Sequence, residues 1–268
     1  MDFLHGIEHV NTPADVVPVN DIVTAVIGLI GTADKGDTNM LTLCKSAQDD
    51  AAFGTKGTIP EALKAIRLHD TASGSALVFV VKVKGADEQI TGADIVGEVE
   101  ATGERTGLKL FEAAQNKYGF EPMIYIAPRF SALAAVKQEL VAMTEKTGAM
   151  AYIDTPDGWS FDQAIESRGN GGEFATLKLG QKLLFPHALV PNPDYNPDAE
   201  VPGEKYLNVP LSAYAAGLRA KIDLTEGWHV SSSNHAYVGI EGTDVPVTFG
   251  LNDKTCEANL LNAAGITT

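Results

Sequence analysis

Short apolar runs recur along the chain and alternate with segments in which apolar residues return every three or four positions. The runs are rich in Val, Ile and Phe and are shorter than typical helices, which favours buried β-strands. The predicted strands are Thr24–Ile30, Ala76–Val83, Met123–Ala127, Ala149–Ile153 and Lys182–Phe185.

Two segments between these runs have the period of amphipathic helices. Glu104–Tyr118 and Ser131–Thr147 each place their apolar side chains on one face. Gly119 and Gly148 follow them directly, and glycine readily adopts the left-handed conformation that ends a helix. We therefore predict helices that end at these glycines.

A third helix is predicted to begin at Thr58. The sequence Thr58-Ile-Pro-Glu61 has the form of a capping box, in which Thr58 caps the helix and the Glu61 side chain reaches back to it. Pro60 is compatible with this position, because the first turn of a helix leaves its N–H groups without partners.

Strands that alternate with helices predict an α/β fold. We expect a mixed, mostly parallel sheet, flanked by helices and joined by right-handed crossovers. The predicted organisation is an extended N-terminal arm over residues 1–22 and one α/β core domain over residues 23–268.

The arm has no helical period and suits an extended strand, and Pro13 and Pro18 then prevent a regular ladder. Two interpretations stay open, a frayed chain end or a strand that pairs with the sheet edge of another subunit. On the second interpretation the inter-subunit contacts are made by Phe3, His5, Ile7, His9 and Val10.

The last third of the chain has a different pattern. The prolines between His187 and Pro210 exclude a helix and disfavour a strand, which predicts a long exposed loop. A further strand is expected to start at Ile266, so the sequence is expected to be truncated. The other predicted elements are a helix over Leu211–Ile222, a strand over Val245–Phe249 and a helix over Lys254–Ala264 that Asp253 caps and Gly265 closes.

Composition narrows the classes of function. The chain has 268 residues, and 20 Lys and Arg against 35 Asp and Glu give a net charge of −15. Nucleic-acid binding is disfavoured, because neutralising phosphates needs clustered Lys and Arg. No apolar run approaches the roughly 18 residues of a membrane span, and the N-terminus lacks the basic region of a secretory signal. Cys44 and Cys256 are interpreted as buried thiols in a reducing compartment.

The sequence contains no recognisable catalytic or cofactor-binding motif. The glycines between Gly28 and Gly36 lack the G-x-G-x-x-G spacing and are interpreted as packing and turn residues. His5 and His9, on a strand, would lie about 13 Å apart, too far to share a metal. No catalytic, cofactor-binding or metal-binding residue is therefore assigned.

An α/β enzyme or ligand-binding module remains the alternative. Ligands of open α/β sheets bind at the carboxyl ends of the strands, and carboxylates gathered there could hold Mg²⁺ or Ca²⁺. Capping and solvation at loop starts explain the same side chains more simply. The alternative predicts a deep pocket that contains Asp34 and Asp154. The side chains at this edge are Asp34, Asp37, Arg129, Asp154 and Asp157.

Several sequence blocks together carry a resemblance to a known family. They include FLHGIEHV at 3–10, TAVIGLIG at 24–31, ERTGL at 104–108, PMIYIAP at 122–128, AGLRAKID at 216–223, GWH at 227–229 and CEANLLN at 256–262. In this order and spacing the chain resembles the contractile tail sheath proteins of P2-like myophages and R-type pyocins. Members of that family are longer and continue into a C-terminal domain and a second arm, which this sequence does not contain.

The resemblance implies a structural subunit without enzymatic activity or cofactor. It implies that copies of the chain stack as six-fold rings around an inner tube and contract irreversibly to drive the tube through a target envelope. The implied partners are the inner tail tube protein and the baseplate and tail terminator proteins, without direct contact to nucleic acid or insertion into a membrane. The expected location is a virion tail, or a released phage-tail-like particle, assembled in the bacterial cytoplasm.

A subunit with this net charge repels its copies, so interfaces need basic residues opposite acidic patches. Basic side chains in or beside the matching blocks are therefore expected to include inter-subunit partners, although solvated surface positions explain them equally well. These residues are Arg105, Lys109, Arg219 and Lys221.

Overall fold

A seven-stranded sheet forms the centre of the computed structural model, which describes residues 26–72, 74–178, 180–199, 203–250 and 253–268. The spatial order is β10-β6-β5-β4-β1-β3-β2. Strand β2 is antiparallel to β3, and every other neighbouring pair is parallel. The strands are β1 (Val26–Thr32), β2 (Leu41–Cys44), β3 (Leu77–Lys84), β4 (Ile124–Ile126), β5 (Met150–Asp154), β6 (Gln181–Leu184) and β10 (Ile266–Thr267).

A smaller antiparallel sheet, in the order β8-β7-β9, follows β6 in the chain. It consists of β7 (Ala188–Pro191), β8 (Tyr206–Val209) and β9 (Gly242–Thr243). The helices are α1 (Ala47–Asp50), α2 (Thr58–Arg67), α3 (Gly92–Val96), α4 (Ala114–Tyr118), α5 (Ala134–Thr147), α6 (Phe161–Arg168), α7 (Ser212–Thr225) and α8 (Glu257–Ala263), with 3₁₀ turns over Ala51–Phe53 and Gly107–Ala113.

Both faces of the large sheet are buried, as expected of parallel strands. In β1, Ile27 and Leu29 join the core beneath α2 and α7, whereas Val26 and Ile30 join the core beneath α3, α5 and α8. This alternation confirms the predicted mixed, mostly parallel α/β fold, and all five predicted strands are present with ends shifted by one or two residues.

The predicted arm over residues 1–22, like Thr24 and Ala25, lies outside the described residues. The division into an arm and one core domain therefore stays a prediction. Within the described helices, none combines the length and hydrophobicity that crossing a bilayer requires.

The capping box predicted at Thr58 is wrong. Gly57 precedes the helix as its N-cap, and Thr58 is already its first residue. The Thr58 hydroxyl accepts a hydrogen bond from the backbone N–H of Thr32, and Glu61 pairs with Arg129. A Cβ on Gly31 would lie 2.2 Å from the Thr58 hydroxyl oxygen, so this glycine serves close packing, as its sequence interpretation proposed.

The single helix predicted over Glu104–Tyr118 is instead a 3₁₀ segment that continues into α4. Gly107 has φ +57°, outside the helical region, so the helical part begins there rather than at Glu104. Gly119 and Gly148 adopt the predicted left-handed conformation after α4 and α5.

Three predictions for the last third of the chain need correction. The predicted loop over His187–Pro210 contains β7 and β8, because its described prolines are the last residue of β7 or lie outside both strands. Val245–Phe249 forms no strand, and Val245 and Val247 pack against the core as irregular chain. The helix predicted over Lys254–Ala264 begins only at Glu257. The Asp253 side chain does not cap it and instead accepts a hydrogen bond from the Thr255 N–H.

One backbone acceptor of the edge strand β2 is occupied by side chains of its own chain. The carbonyl oxygen of Leu41 accepts hydrogen bonds from Lys117 Nζ at 3.2 Å and from the Tyr118 hydroxyl at 3.1 Å. These two donors occupy both lone pairs of a backbone acceptor in an edge strand.

Close packing between α2 and α7 yields a first test. A Cβ at Gly217 would lie 2.9 Å from Ile66 Cα and 3.0 Å from His69 Nδ1. Alanine is more favourable than glycine inside a helix by about 1 kcal/mol. Forcing the backbones of α2 and α7 apart to make room for the new Cβ costs about 1–3 kcal/mol. We expect Gly217→Ala to lower the free energy of unfolding in urea. The control is Gly92→Ala, whose Cβ would meet only ordinary contacts beginning at 3.4 Å; equal stability of the two variants would contradict the packing argument.

Candidate functional site

The carboxyl ends of β4, β5 and β6 meet at one edge of the sheet, where ligands of open α/β folds bind. The sequence analysis placed its alternative site there. The structure shows a cavity of about 40 Å³, lined by Arg129, Asp154, Asp157 and His187 among others. This volume has room for about one water molecule.

Asp154 ends β5 and is 2% exposed. Its Oδ1 accepts from the backbone N–H of Ser212 at 2.8 Å, and its Oδ2 accepts from the Ser212 hydroxyl at 2.6 Å. The Ser131 hydroxyl oxygen accepts a hydrogen bond from the Asp154 N–H at 2.9 Å and lies 3.4 Å from Asp154 Oδ2. Because Ser212 is the first residue of α7, the carboxylate satisfies an otherwise unpaired donor at that helix end.

The electrostatics of Asp154 reflect its burial. Loss of solvation raises the pKa of Asp154, whereas the Ser212 hydrogen bonds and the nearby His187 favour the charged form. The carboxylate oxygens are already engaged by side chains and backbone of the same chain. Asp154 is therefore a structural clamp between β5, Ser131 and α7.

The other acidic residues predicted at this edge separate into different roles. Asp34 is exposed, and its Oδ1 accepts from the N–H groups of Thr55 and Lys56 at 3.0 and 3.1 Å. The Lys56 N–H is the largest cause that lowers the pKa of Asp34. Asp34 thus orders the loop before α2 and is not among the residues that line the cavity with Asp154. Asp37 is exposed.

The remaining polar residues join the small sheet to the large one. Arg129 Nη2 lies 3.0 Å from Glu61 Oε1 and 3.2 Å from the Asn208 carbonyl oxygen. His187 Nε2 lies 2.8 Å from the Thr155 carbonyl oxygen, and His187 Nδ1 lies 2.8 Å from Asp157 Oδ1 without hydrogen-bond alignment.

The deep pocket that the enzyme alternative predicts, with Asp34 and Asp154 together, is not formed. In the described part of the chain, the histidine, cysteine and carboxylate side chains form no group of three that could bind a metal ion. The contacts of these side chains join the elements of the fold at this edge.

Three of the four basic residues predicted as inter-subunit partners have acidic partners in their own chain. Arg105 Nε lies 3.5 Å from Glu112, and Lys109 Nζ lies 2.5 Å from Glu139. Arg219 pairs with Asp223. Lys221 has no ion pair within the described ranges. The inter-subunit role of all four stays a prediction, and the arm residues Phe3, His5, Ile7, His9 and Val10 lie outside the described residues.

The surface also carries two aromatic side chains that the sequence analysis did not single out. Trp228 is 73% exposed and Phe249 is 70% exposed. Trp228 lies in the GWH block and follows a glycine with φ +103°. Hydrophobic periodicity predicts which side chains of helices and strands are buried, but it does not predict exposure in loops. The sequence therefore indicated only that a tryptophan lies in a turn.

Comparison with known proteins identifies where this fold recurs. The sequence profile of the family "Phage tail sheath protein central domain" matches residues 103–268. The tail sheath protein of Burkholderia phage BcepMu is 31% identical over all of this chain and 71% of that protein. A putative prophage major tail sheath protein of Pseudomonas aeruginosa is 33% identical over all of this chain and 67% of that protein.

Two solved assemblies contain chains of similar fold. The helical sheath of the anti-feeding prophage in its contracted state aligns with a TM-score of 0.57 at 17% identity, over 96% of this chain and 64% of that chain. The PVC sheath complex of an extracellular contractile injection system, also in its contracted state, aligns with a TM-score of 0.54 at 13% identity, over 92% of this chain and 58% of that one. The chain thus spans less than two thirds of these sheath subunits.

The Asp154 clamp gives a second test. Asp154→Ala leaves the buried N–H and hydroxyl of Ser212 without their acceptor, while the Ser131 hydroxyl keeps its hydrogen bond from the backbone N–H of residue 154. We expect a loss of about 3 kcal/mol of unfolding free energy. Asp154→Asn keeps an acceptor for the Ser212 N–H, so it loses less. Urea unfolding of the two variants measures the difference, and equal losses would contradict the clamp.

Comparison of the wild type with Asp154→Asn over a range of pH tests whether folding shifts the pKa of Asp154. A carboxyl whose pKa is raised by folding binds its proton more tightly in the native state, so its contribution to stability declines as pH rises through that pKa. We therefore expect the stability of the wild type relative to Asp154→Asn to fall as pH increases from acidic values towards neutrality. A pH-independent difference in unfolding free energy would show that folding leaves the Asp154 pKa unchanged.

Proposed function

Because this chain belongs to the phage tail sheath protein family, a family of structural proteins rather than enzymes, we propose that it is a subunit of a contractile sheath. The observation that carries this proposal is the family match over residues 103–268, together with relatives that align along the whole chain. In the proposed assembly, copies stack as six-fold rings around an inner tube. Contraction of the stack drives the tube through a target envelope, in a virion tail or a tail-like particle.

The fold suits a part that moves as a rigid body. The large sheet is buried on both faces, and the Asp154 clamp fixes α7 to the edge of that sheet. A close-packed interior of this kind transmits force and deforms little. Motion during contraction is therefore proposed to occur between subunits rather than within the core.

The proposed source of work is surface burial between subunits. Burial of apolar surface contributes about 25 cal/mol per Å², so an extra 100 Å² or so per subunit would supply about 2.5 kcal/mol. A gain of this size, summed over the many subunits of a sheath, requires no nucleotide. Partners of the proposed particle are further copies of this chain, the inner tail tube protein, and baseplate and tail terminator proteins.

The arm over residues 1–22 is proposed to tie neighbouring subunits during this motion. Phe3, His5, Ile7, His9 and Val10 would pair with a sheet edge of a neighbour through main-chain hydrogen bonds. Pro13 and Pro18 would form the linker that keeps this strand apart from its own core.

Electron microscopy of the native material, with intact mass, tests the proposed function. Hollow striated cylinders with six-fold end views are the expected result. Globular particles that remain monomeric at every concentration, and that gain stability from a small ligand, would instead support the enzyme or binding-module alternative.

Deletion of residues 1–20 tests the arm. The core should keep its circular dichroism spectrum and unfolding midpoint, because the described core elements begin at Val26. Stable cylinders should no longer form, because neighbouring subunits lose their tie. Contractile cylinders built from the shortened chain would show that the arm has no linking role.

Charge reversal tests the basic residues. The triple variant Arg105→Glu, Lys109→Glu and Lys221→Glu should weaken assembly most strongly at low salt, where charge interactions are least screened. Arg219 is left unchanged because its side chain is only 12% exposed and holds the Gly227 and Val230 carbonyl oxygens, so its reversal would disturb the fold of the subunit itself. Lys146→Glu with Lys178→Glu is the control, since both lysines are about two thirds exposed and lie outside the matching blocks. Equal assembly of the two variants would contradict the inter-subunit role.

A further inference from the structure

Trp228 has the highest exposure, 73%, among the large apolar side chains of the described chain. Leu224, four residues earlier at the end of α7, is 41% exposed. We call these two side chains the Trp228 patch. Tryptophan is enriched among the residues that dominate binding energy at protein interfaces, because a rigid ring buries a large area at low entropic cost.

The loop that presents Trp228 is ordered by a buried arginine. Arg219 Nη1 donates to the Val230 carbonyl oxygen at 2.6 Å, and Nη2 donates to the Gly227 carbonyl oxygen at 3.4 Å. The ion pair with Asp223 holds the guanidinium, and both side chains are nearly buried. The two carbonyls that flank Trp228 are therefore fixed by one cation.

The following segment is attached to the core at a second point. The Val238 N–H donates to His69 Nε2 at 3.2 Å. His69 Nδ1 lies 3.1 Å from the Ala65 carbonyl oxygen, which suits a neutral ring with its proton on Nδ1. Burial lowers the pKa of His69 and favours the same neutral form. Trp228 is thus an exposed anchor on a preordered loop, and preorder reduces the entropic cost of binding.

A groove of about 370 Å³ lies between α1 and α2, and we call it the α1–α2 groove. Trp228 is not among the residues that line it, and its high exposure shows that it fills no groove formed by the described residues of its own chain. Lys64 on the groove has no ion pair within the part of the chain that the structure describes. The groove is formed chiefly by Ala47, Ala51, Pro60, Leu63 and Leu68, with Asp50, Lys64 and Arg67.

Resting on the proposed function, we infer that the Trp228 patch of one subunit docks in the α1–α2 groove of a second copy of the chain. The patch and the groove are different surfaces, so the contact is head-to-tail, and head-to-tail contacts generate rings or open helical assemblies. Charge supports this occupant. Glu226, two residues before the anchor, has a half-exposed side chain whose Oε1 lies 3.2 Å from His235 Nε2 of the same chain, so its other carboxylate oxygen would meet Lys64.

The first experiment measures self-association of the full chain by sedimentation. Trp228→Ala should weaken association by about tenfold or more, the scale of an interface hot spot. Phe249→Ala is the matched control, since Phe249 is equally exposed but does not belong to the patch; it should associate like the wild type. Association of Trp228→Ala that equals that of Phe249→Ala would overturn the inference and leave the proposed sheath function intact, whereas a wild type that never associates would overturn both.

The second experiment identifies the acceptor. Glu226→Lys and Lys64→Glu should each weaken association several-fold, and the double variant should recover most of that loss, because the swapped charges attract again. If the two single variants weaken association independently and the double variant shows the sum of their losses, the α1–α2 groove is not the docking site of the Trp228 patch. In Trp159→Phe, Trp228 is the sole tryptophan. Its fluorescence should shift to shorter wavelength on association, and an unchanged spectrum in the associated state would overturn burial of the anchor.

Discussion

The carboxylate of Asp154 is the contact on which the carboxyl edge of the sheet depends. It joins the end of β5 to Ser131 and to the first turn of α7, at a position where a charged group is stable only if its hydrogen bonds are complete. Helix α7 then runs from this edge and contacts α2 through Gly217. Arg219, in the same helix, fixes the loop that carries Trp228. One buried carboxylate thereby sets the position of a surface tryptophan more than seventy residues later in the sequence.

This arrangement explains why the part of the carboxyl edge around Asp154 encloses only a small cavity. In many α/β proteins the polar groups at this edge remain free to bind a substrate. Here Asp154, Arg129 and His187 join the small sheet and α7 to the large sheet, and the space between them is about 40 Å³.

The apolar runs predicted the central strands because a buried parallel strand must be apolar on both faces, and this requirement appears directly in the sequence. Local motifs were less reliable. Thr58 and Glu61 have capping-box spacing, but Thr32 and Arg129 offer tertiary partners that compete for the same atoms. The Asp154 clamp joins residues 23 and 58 positions apart, and no local pattern encodes such distances. The exposure of Trp228 escaped prediction for the same reason, since it depends on what the rest of the fold leaves uncovered.

The edge strand β2 has a consequence for any crowded assembly of this chain. A free strand edge can recruit the same edge of another copy and extend the sheet without limit, as in amyloid. At Leu41 the backbone acceptor is already taken by Lys117 and Tyr118 of the same chain. A strand of another copy is thereby hindered from pairing with β2 at this position.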